Sequence, residues 1–416
     1  MRGASRLVAC LATVVASAGV RADEVVSAGP VDPRLASFDQ LMGSFVAERK
    51  VPGASLAVAR EGRLVYARGF GHADPERAEP VGPDALFRVA SLSKPITALT
   101  VMVLVERGAL ALDDRALDRL GPEYADADHP PSDPRWAKVT LRELLEHRGG
   151  WDRDVSFDPM FRAVTIAREQ GVEPPAGPSD VIHWMLKRPL DFDPGARYAY
   201  SNFGYCVLGR VIERATGEPY GEAVARLVLR PLGITDDAMR LGETLAKGRA
   251  PHEVRYFAGG KTGPSVFPPI GEAVPEPYGA WNLEAMDAHG GWIATAPALL
   301  RFARALDVPG QAGVIRPETV PKLFERPLGA AGFEADGKPK PSFYGLGWNV
   351  RPIGNRELNT WHTGSLPGTS TLLVRRRDGL SWAVLFNTRD GTDGQVLSRA
   401  IDPLLHRAAD AVKEWP

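Results

Sequence analysis

The chain is poor in cysteine, carries almost no charge excess of either sign, and lacks a long apolar run beyond its first residues. Only Cys10 and Cys206 occur among 416 residues. Cys10 falls in a segment with the features of a leader, so the remainder has no cysteine pair to form an internal disulfide and must rely on its core. A formal net charge of −1 excludes the basic surface that nucleic acid or an anionic membrane requires. No later stretch reaches the roughly 20 apolar residues that a spanning helix needs, so no stable membrane span is expected. The Gly-x-Ser-x-Gly elbow of one large hydrolase class is absent. The eight histidines, at 72, 129, 147, 183, 252, 289, 362 and 406, show no His-x-x-x-His pair and no Glu-flanked ligand spacing, so no metal or other cofactor is expected. The partner left by these exclusions is a small molecule or a peptide.

The first 22 residues have the layout of an export signal: Arg2 and Arg6, an apolar run from Leu7 to Val20, and Val20-Arg21-Ala22 as a small-residue cleavage site. Leu7-Val8-Ala9-Cys10 resembles a lipidation box, but the apolar stretch follows the cysteine instead of preceding it. The expectation is an exported protein, periplasmic or secreted, with residues 23–35 as a linker and 36–410 as the folded domain. The 43 glycines and 36 prolines make about a fifth of the chain, below the level that marks disorder.

Hairpin signals stand near both ends. Ala54 to Arg60 and Leu64 to Phe70 flank Glu61-Gly62-Arg63, and Thr371 to Arg376 and Ser381 to Phe386 flank Arg377-Asp378-Gly379-Leu380. Strands at both termini around a helical, loop-rich middle predict an α/β (α+β) fold. One antiparallel sheet is closed by the two chain ends, flanked by helices, and carries an inserted, mainly helical lobe from about 113 to 290. Helices are expected at Leu141 to Glu146, Phe203 to Ala215 and Gly394 to Lys413, and loops from Pro251 to Pro277.

The chemistry-bearing residues begin with Ser91-Leu92-Ser93-Lys94. Positions i and i+3 share a helix face, so Lys94 stands beside the Ser91 hydroxyl and helps to remove its proton. Taken alone the pair also fits a helix cap with a solvated lysine. The stretch from Pro95 to Val105, with no charge on any face, reads as a buried helix. Ser91 then lies at the positive end of its dipole and Lys94 in a setting that favours the neutral amine. In Tyr200-Ser201-Asn202 the two outer side chains point the same way; Tyr200 is expected to ionise below its usual pKa of about 10 and act as base, and Asn202 to hold a substrate carbonyl or the lysine. The alternative is a core tyrosine and a turn asparagine.

A third motif has two candidates. Lys261-Thr262-Gly263 sits among glycines and prolines that break a strand, whereas His362-Thr363-Gly364 leads into the C-terminal hairpin, so His362 is chosen. There Ser365 offers its N–H to an oxyanion, and Gly364 lets substrate backbone approach. A histidine titrating near 6.5 predicts activity that rises as pH climbs through that value.

The order Ser-x-x-Lys, Tyr-x-Asn, His-Thr-Gly resembles that of the penicillin-recognising serine hydrolases, in particular the branch of class C β-lactamases, D-Ala-D-Ala carboxypeptidases, D-aminopeptidases and β-lactamase-like esterases. The likeness extends to Leu144-Leu145-Glu146-His147, Arg230-Pro231-Leu232-Gly233-Ile234, Gly290-Gly291-Trp292-Ile293 and Tyr344-Gly345-Leu346-Gly347-Trp348. It implies that Ser91 is acylated, that Lys94 and Tyr200 shuttle its proton, that Asn202, His362, Thr363 and Gly364 bind substrate, and that the Ser91 and Ser365 amides form the oxyanion hole. The chain departs from the family pattern at His362, where a lysine would supply a permanent cation, and at Arg148-Gly149-Gly150-Trp151-Asp152-Arg153-Asp154. The implied activity is hydrolysis of an amide or ester by a D-amino-acid-type peptidase, an amidase or a carboxylesterase, with β-lactamase third. A non-catalytic binding or sensor protein of the same fold is the alternative, opposed by the joint presence of Ser91, Lys94, Tyr200 and Asn202.

Overall fold

A computed structural model describes residues 25–354 and 357–416; the expected leader, 1–22, lies outside them. The two chain ends meet in the middle of an antiparallel sheet that has nine strands among the described residues. From one edge the main path runs Ser27–Ala28, Arg63–Asp74, Gly53–Arg60, Leu380–Phe386, Thr369–Arg375, Glu357–Leu366, Asn349–Ile353 and Phe343–Tyr344. Ala383 from the C-terminal hairpin lies opposite Ala57 from the N-terminal one. In the first hairpin Arg60 pairs with Arg63, leaving a two-residue turn at Glu61 and Gly62, with φ of +51° and +74°. Both central residues at positive φ give the turn whose twist matches the sheet, and Arg63, expected in the turn, joins the strand.

The central strands are apolar on both faces because both are covered. Leu56, Val58, Trp382, Val384 and Phe386 pack with the helices Ala36–Glu48 and Leu397–Asp410. Their neighbours Ala57, Ala59, Ala383 and Leu385 face the opposite way, where the helix Ala296–Asp307 lies on the sheet. Alanine on that face lets the helix come close. The terminal helix is shorter than the expected 394–413, because Gly391 to Gln395 close a turn of their own: Gly391 N–H donates to the Gln395 carbonyl, and Gln395 N–H to Asp393 Oδ1.

Between about 113 and 290 the chain forms short helices and a few short strands. Leu141–Leu145 starts at a reciprocal cap, with Thr140 Oγ1 accepting from Glu143 N–H and Glu143 Oε2 from Thr140 N–H. Asn202–Thr216 is capped by Ser201 and ends at Gly217, φ +71°. One expectation fails here: Thr262–Pro264, placed among strand breakers, is a strand paired with Ala273–Pro275. Three residues at the rim suffice, since an isolated two-stranded ladder tolerates a proline at its margin. No helix among the described residues is long and apolar enough to cross a membrane.

Candidate active site

Ser91 stands in the 3₁₀ turn Ala90–Leu92, which runs directly into the helix Ser93–Glu106; the helix is buried from Ser93 to Leu104. Ala90 holds φ +48°, a left-handed conformation that an alanine adopts only when its surroundings enforce it. The surroundings are specific. Val89 N–H donates to the Trp292 carbonyl at 2.9 Å, Thr371 Oγ1 donates to Val89 O at 2.9 Å and Thr369 Oγ1 to Arg88 O at 2.8 Å. A Cβ on Gly364 would lie 2.2 Å from both Val89 O and Thr371 Oγ1. Gly364 is therefore required by the turn that presents Ser91, where approach of substrate backbone was expected. Sequence gives no signal for the two threonines, since Thr in a strand is common and the Thr371 partner is 282 residues distant.

Arg88 adds a second clamp. Its buried guanidinium donates to the carbonyls of Pro277 at 2.6 Å, Glu243 at 2.8 Å and Thr244 at 2.9 Å, fastening the long loops of the lobe beside the Ser91 turn.

Lys94 Nζ is fully buried and lies 3.1 Å from Ser91 Oγ, 2.8 Å from Asn202 Oδ1 and 3.0 Å from the His289 carbonyl. Asn202 Nδ2 donates to Asp158 Oδ2 at 2.6 Å, which fixes Oδ1 as an acceptor toward the lysine. Two of the three neighbours of Nζ only accept, and the third is a hydroxyl that can donate. That set matches a neutral amine with two N–H bonds and one lone pair. Burial holds the Lys94 pKa well below the usual lysine value, the Arg153 charge pushes the same way, and Asp158 opposes them.

Burial pushes the Tyr200 phenol up, opposite to the expected ionisation, and the neighbouring Ser91 hydroxyl opposes that shift. Lys94 Nζ lies over the Tyr200 ring at 4.7 Å, and a neutral amine exerts little pull on a phenolic proton. Asn202 holds Lys94 through Oδ1 and Asp158 through one N–H of Nδ2. His147, φ +57°, shapes this corner: its Nδ1 accepts from Ser201 N–H at 3.1 Å and its carbonyl from Ala199 N–H at 2.9 Å. The run Trp151 to Asp154, a departure from the family pattern, divides its labour. Trp151 packs edge-on against Trp136 and Phe203, each at 4.8 Å, Asp152 pairs with Arg197 at 2.7 Å, and Arg153 lies over the Tyr200 ring at 4.9 Å. Asp158, His147, Arg153 and Tyr344 were not among the expected site residues; the Leu144 to His147 and Tyr344 to Trp348 likenesses and the divergent run Arg148 to Asp154 touched three of them, and nothing pointed to Asp158.

The strand with His362 to Ser365 packs beside the Ser91 turn. Pairing with Asn349–Ile353 ends at Trp361, so residues 362–366 are laddered on one side only, to Leu373 through Thr369. Ser365 is exposed and Thr363 half-buried along this stretch. His362 points inward. Its Nδ1–H donates to the Thr363 carbonyl at 2.7 Å and its Nε2 accepts from Tyr344 Oη at 2.8 Å. Burial, reinforced by Lys94, brings its pKa down to about 3. The expected titration near 6.5 is displaced, and neither ring nitrogen is left for a substrate carboxylate. Among the described residues no cluster of His, Cys, Asp or Glu could hold a metal ion.

The family model described as Beta-lactamase matches residues 38–405. The chain belongs to the beta-lactamase family. Within it, the chain is 37% identical over 209 residues to esterase EstB of Burkholderia gladioli, covering 48% of this chain and 50% of that protein. It is 25% identical over 390 residues to penicillin-binding protein 4* of Bacillus subtilis (strain 168), covering 91% and 77%. A D-amino acid amidase from Ochrobactrum anthropi SV3, solved with D-phenylalanine, shares the beta-lactamase-family fold at a TM-score of 0.67 and 20% identity, over 92% of this chain and 99% of that one. The match to EstB thus spans half the length of that esterase. The expected antiparallel sheet with flanking helices and the resemblance to penicillin-recognising hydrolases both hold.

Proposed function

We propose that the protein hydrolyses an ester or amide through an acyl-enzyme on Ser91. The observation that carries this reading is the buried Lys94 amine, 3.1 Å from Ser91 Oγ with its other contacts to pure acceptors. Lys94 takes the Ser91 proton as Oγ bonds to the substrate carbonyl carbon. The carbonyl oxygen becomes an oxyanion, held by the Ser91 amide, one of the unpaired N–H groups of a helix start, and by the Ser365 amide. Tyr200 gives its proton to the leaving oxygen or nitrogen as that bond breaks, and recovers one from Lys94. Water then attacks the acyl carbon by the reverse route. Likeness to an esterase and to a D-amino acid amidase supports both leaving groups equally. A β-lactamase ranks third, since His362 supplies no cation.

The test is the intact mass of the protein during turnover of a 4-nitrophenyl ester, with nitrophenol release followed in parallel. An acyl adduct and a burst, both absent from Ser91→Ala, are expected; release at the wild-type rate from Ser91→Ala would sink the assignment. A binding or sensor protein, the other reading, predicts no adduct at all.

A further inference from the structure

We propose that Arg153 is the cation by which this site recognises substrate, and that the preferred substrates carry a carboxylate or comparable anionic group near the scissile bond. The inference deepens the proposed hydrolase reading and rests on it. Arg153 is exposed, and its guanidinium lies 4.9 Å from the centre of the Tyr200 ring. Three carboxylates around this loop are engaged elsewhere, while Asp154, the next residue, forms no ion pair among the described residues. Asp152 pairs with Arg197 at 2.7 Å, Asp158 accepts from Asn202 at 2.6 Å, and Asp191 Oδ2 accepts from Asp152 N–H at 2.7 Å and Ser156 Oγ at 3.0 Å. Arg153 is left without an ion-pair partner among the described residues, although its neighbours Arg148, Arg188 and Arg197 each have one.

The other basic groups of the site are unsuited to the task. Lys94 is sealed beneath Ser91 with all its contacts made, and His362 spends both nitrogens on Tyr344 and Thr363. Both lie within the protein, whereas Arg153 is exposed. A planar guanidinium braced on an aromatic face keeps its edge donors for a ligand, and that edge accepts a carboxylate in a two-point contact. The anion is thereby held beside Tyr200.

The experiment compares 4-nitrophenyl hemiadipate with 4-nitrophenyl hexanoate, esters of equal chain length that differ by a terminal carboxylate, on wild type, Arg153→Gln and Arg153→Lys. The expected result is a fall of about 30-fold in kcat/KM for the hemiadipate in Arg153→Gln, expressed in KM, with less than about threefold change for the hexanoate. Arg153→Lys should recover part of the preference, and wild-type discrimination should shrink at high salt. Equal losses for the two esters, which a purely structural brace over Tyr200 predicts, or no loss for either, would overturn the assignment. If wild type cleaves neither ester, the esterase half of the proposed function fails on its own. Arg153 is then judged by calorimetric binding of adipic acid monoanilide against hexananilide to Ser91→Ala with and without Arg153→Gln. A preference for the anion that Arg153→Gln removes supports the proposal; the absence of such a preference, including no binding of either, overturns it.

Discussion

Lys94 and His362 are both buried bases beside the Ser91 turn, and the fold satisfies them in opposite ways. Around Lys94 two acceptors and one hydroxyl leave the lone pair of the amine aimed at Ser91 Oγ. Around His362 a carbonyl takes the Nδ1 proton and a phenol fills Nε2, so no capacity remains. In the proposed mechanism one base is poised toward the reacting atom, and the other is closed into the wall that supports it. Burial lowers the pKa of both, and the unused hydrogen-bonding direction is what assigns Lys94 the role of base in the proposed mechanism.

The most severe way to test this contrast is Lys94→Met. It removes the amine and keeps an unbranched chain of similar length in the same space, so acylation should fall by about 10³ or more. Retention of a tenth of wild-type rate in a burst experiment would break the comparison. Next in size is Gly364→Ala, whose Cβ would meet Val89 O and Thr371 Oγ1 at 2.2 Å. Overpacking of this kind costs about 1–3 kcal/mol, and here the yielding part is the Ser91 turn. Urea unfolding should show the loss, and turnover should fall with it.

His362→Gln sharpens the other half. The folded pKa of His362, about 3, is below the unfolded value of about 6.5. Its neutral burial therefore contributes stability fully above pH 6.5, and that contribution is lost as pH falls from 6.5 toward 3. The variant should take up about one proton fewer during acid unfolding, and its activity profile between pH 5 and 8 should keep the wild-type shape. A wild-type activity limb near 6.5 that disappears in His362→Gln would restore a catalytic role to histidine titration. The smallest effect is expected for Thr371→Val, which deletes the 2.9 Å bond to Val89 O: about 1 kcal/mol in urea unfolding, with turnover reduced severalfold.

The sheet was legible because its hairpins carry local signals, glycine turns between alternating apolar runs, and because both chain ends read as strands. Ser91 with Lys94 and Tyr200 with Asn202 were legible for the same reason, each pair lying within one turn of chain. The residues that complete the site are separated from their partners by long stretches: Asn202 reaches Asp158, Lys94 reaches the His289 backbone, and Thr371 reaches Val89. No local spacing encodes such contacts. The states of Tyr200 and His362 differ from expectation for a related reason, since burial and hydrogen-bond saturation belong to the assembled core and not to the segment.

The most direct measurement is the titration of the Lys94 side-chain nitrogen by ¹⁵N NMR, assigned by its absence in Lys94→Met. A poised Lys94 predicts an amine that loses its proton well below the solvated lysines of the same protein, together with an acylation rate that falls on the acid side of that same pH. A Lys94 signal that titrates with the solvated lysines, near 10.4, would contradict it.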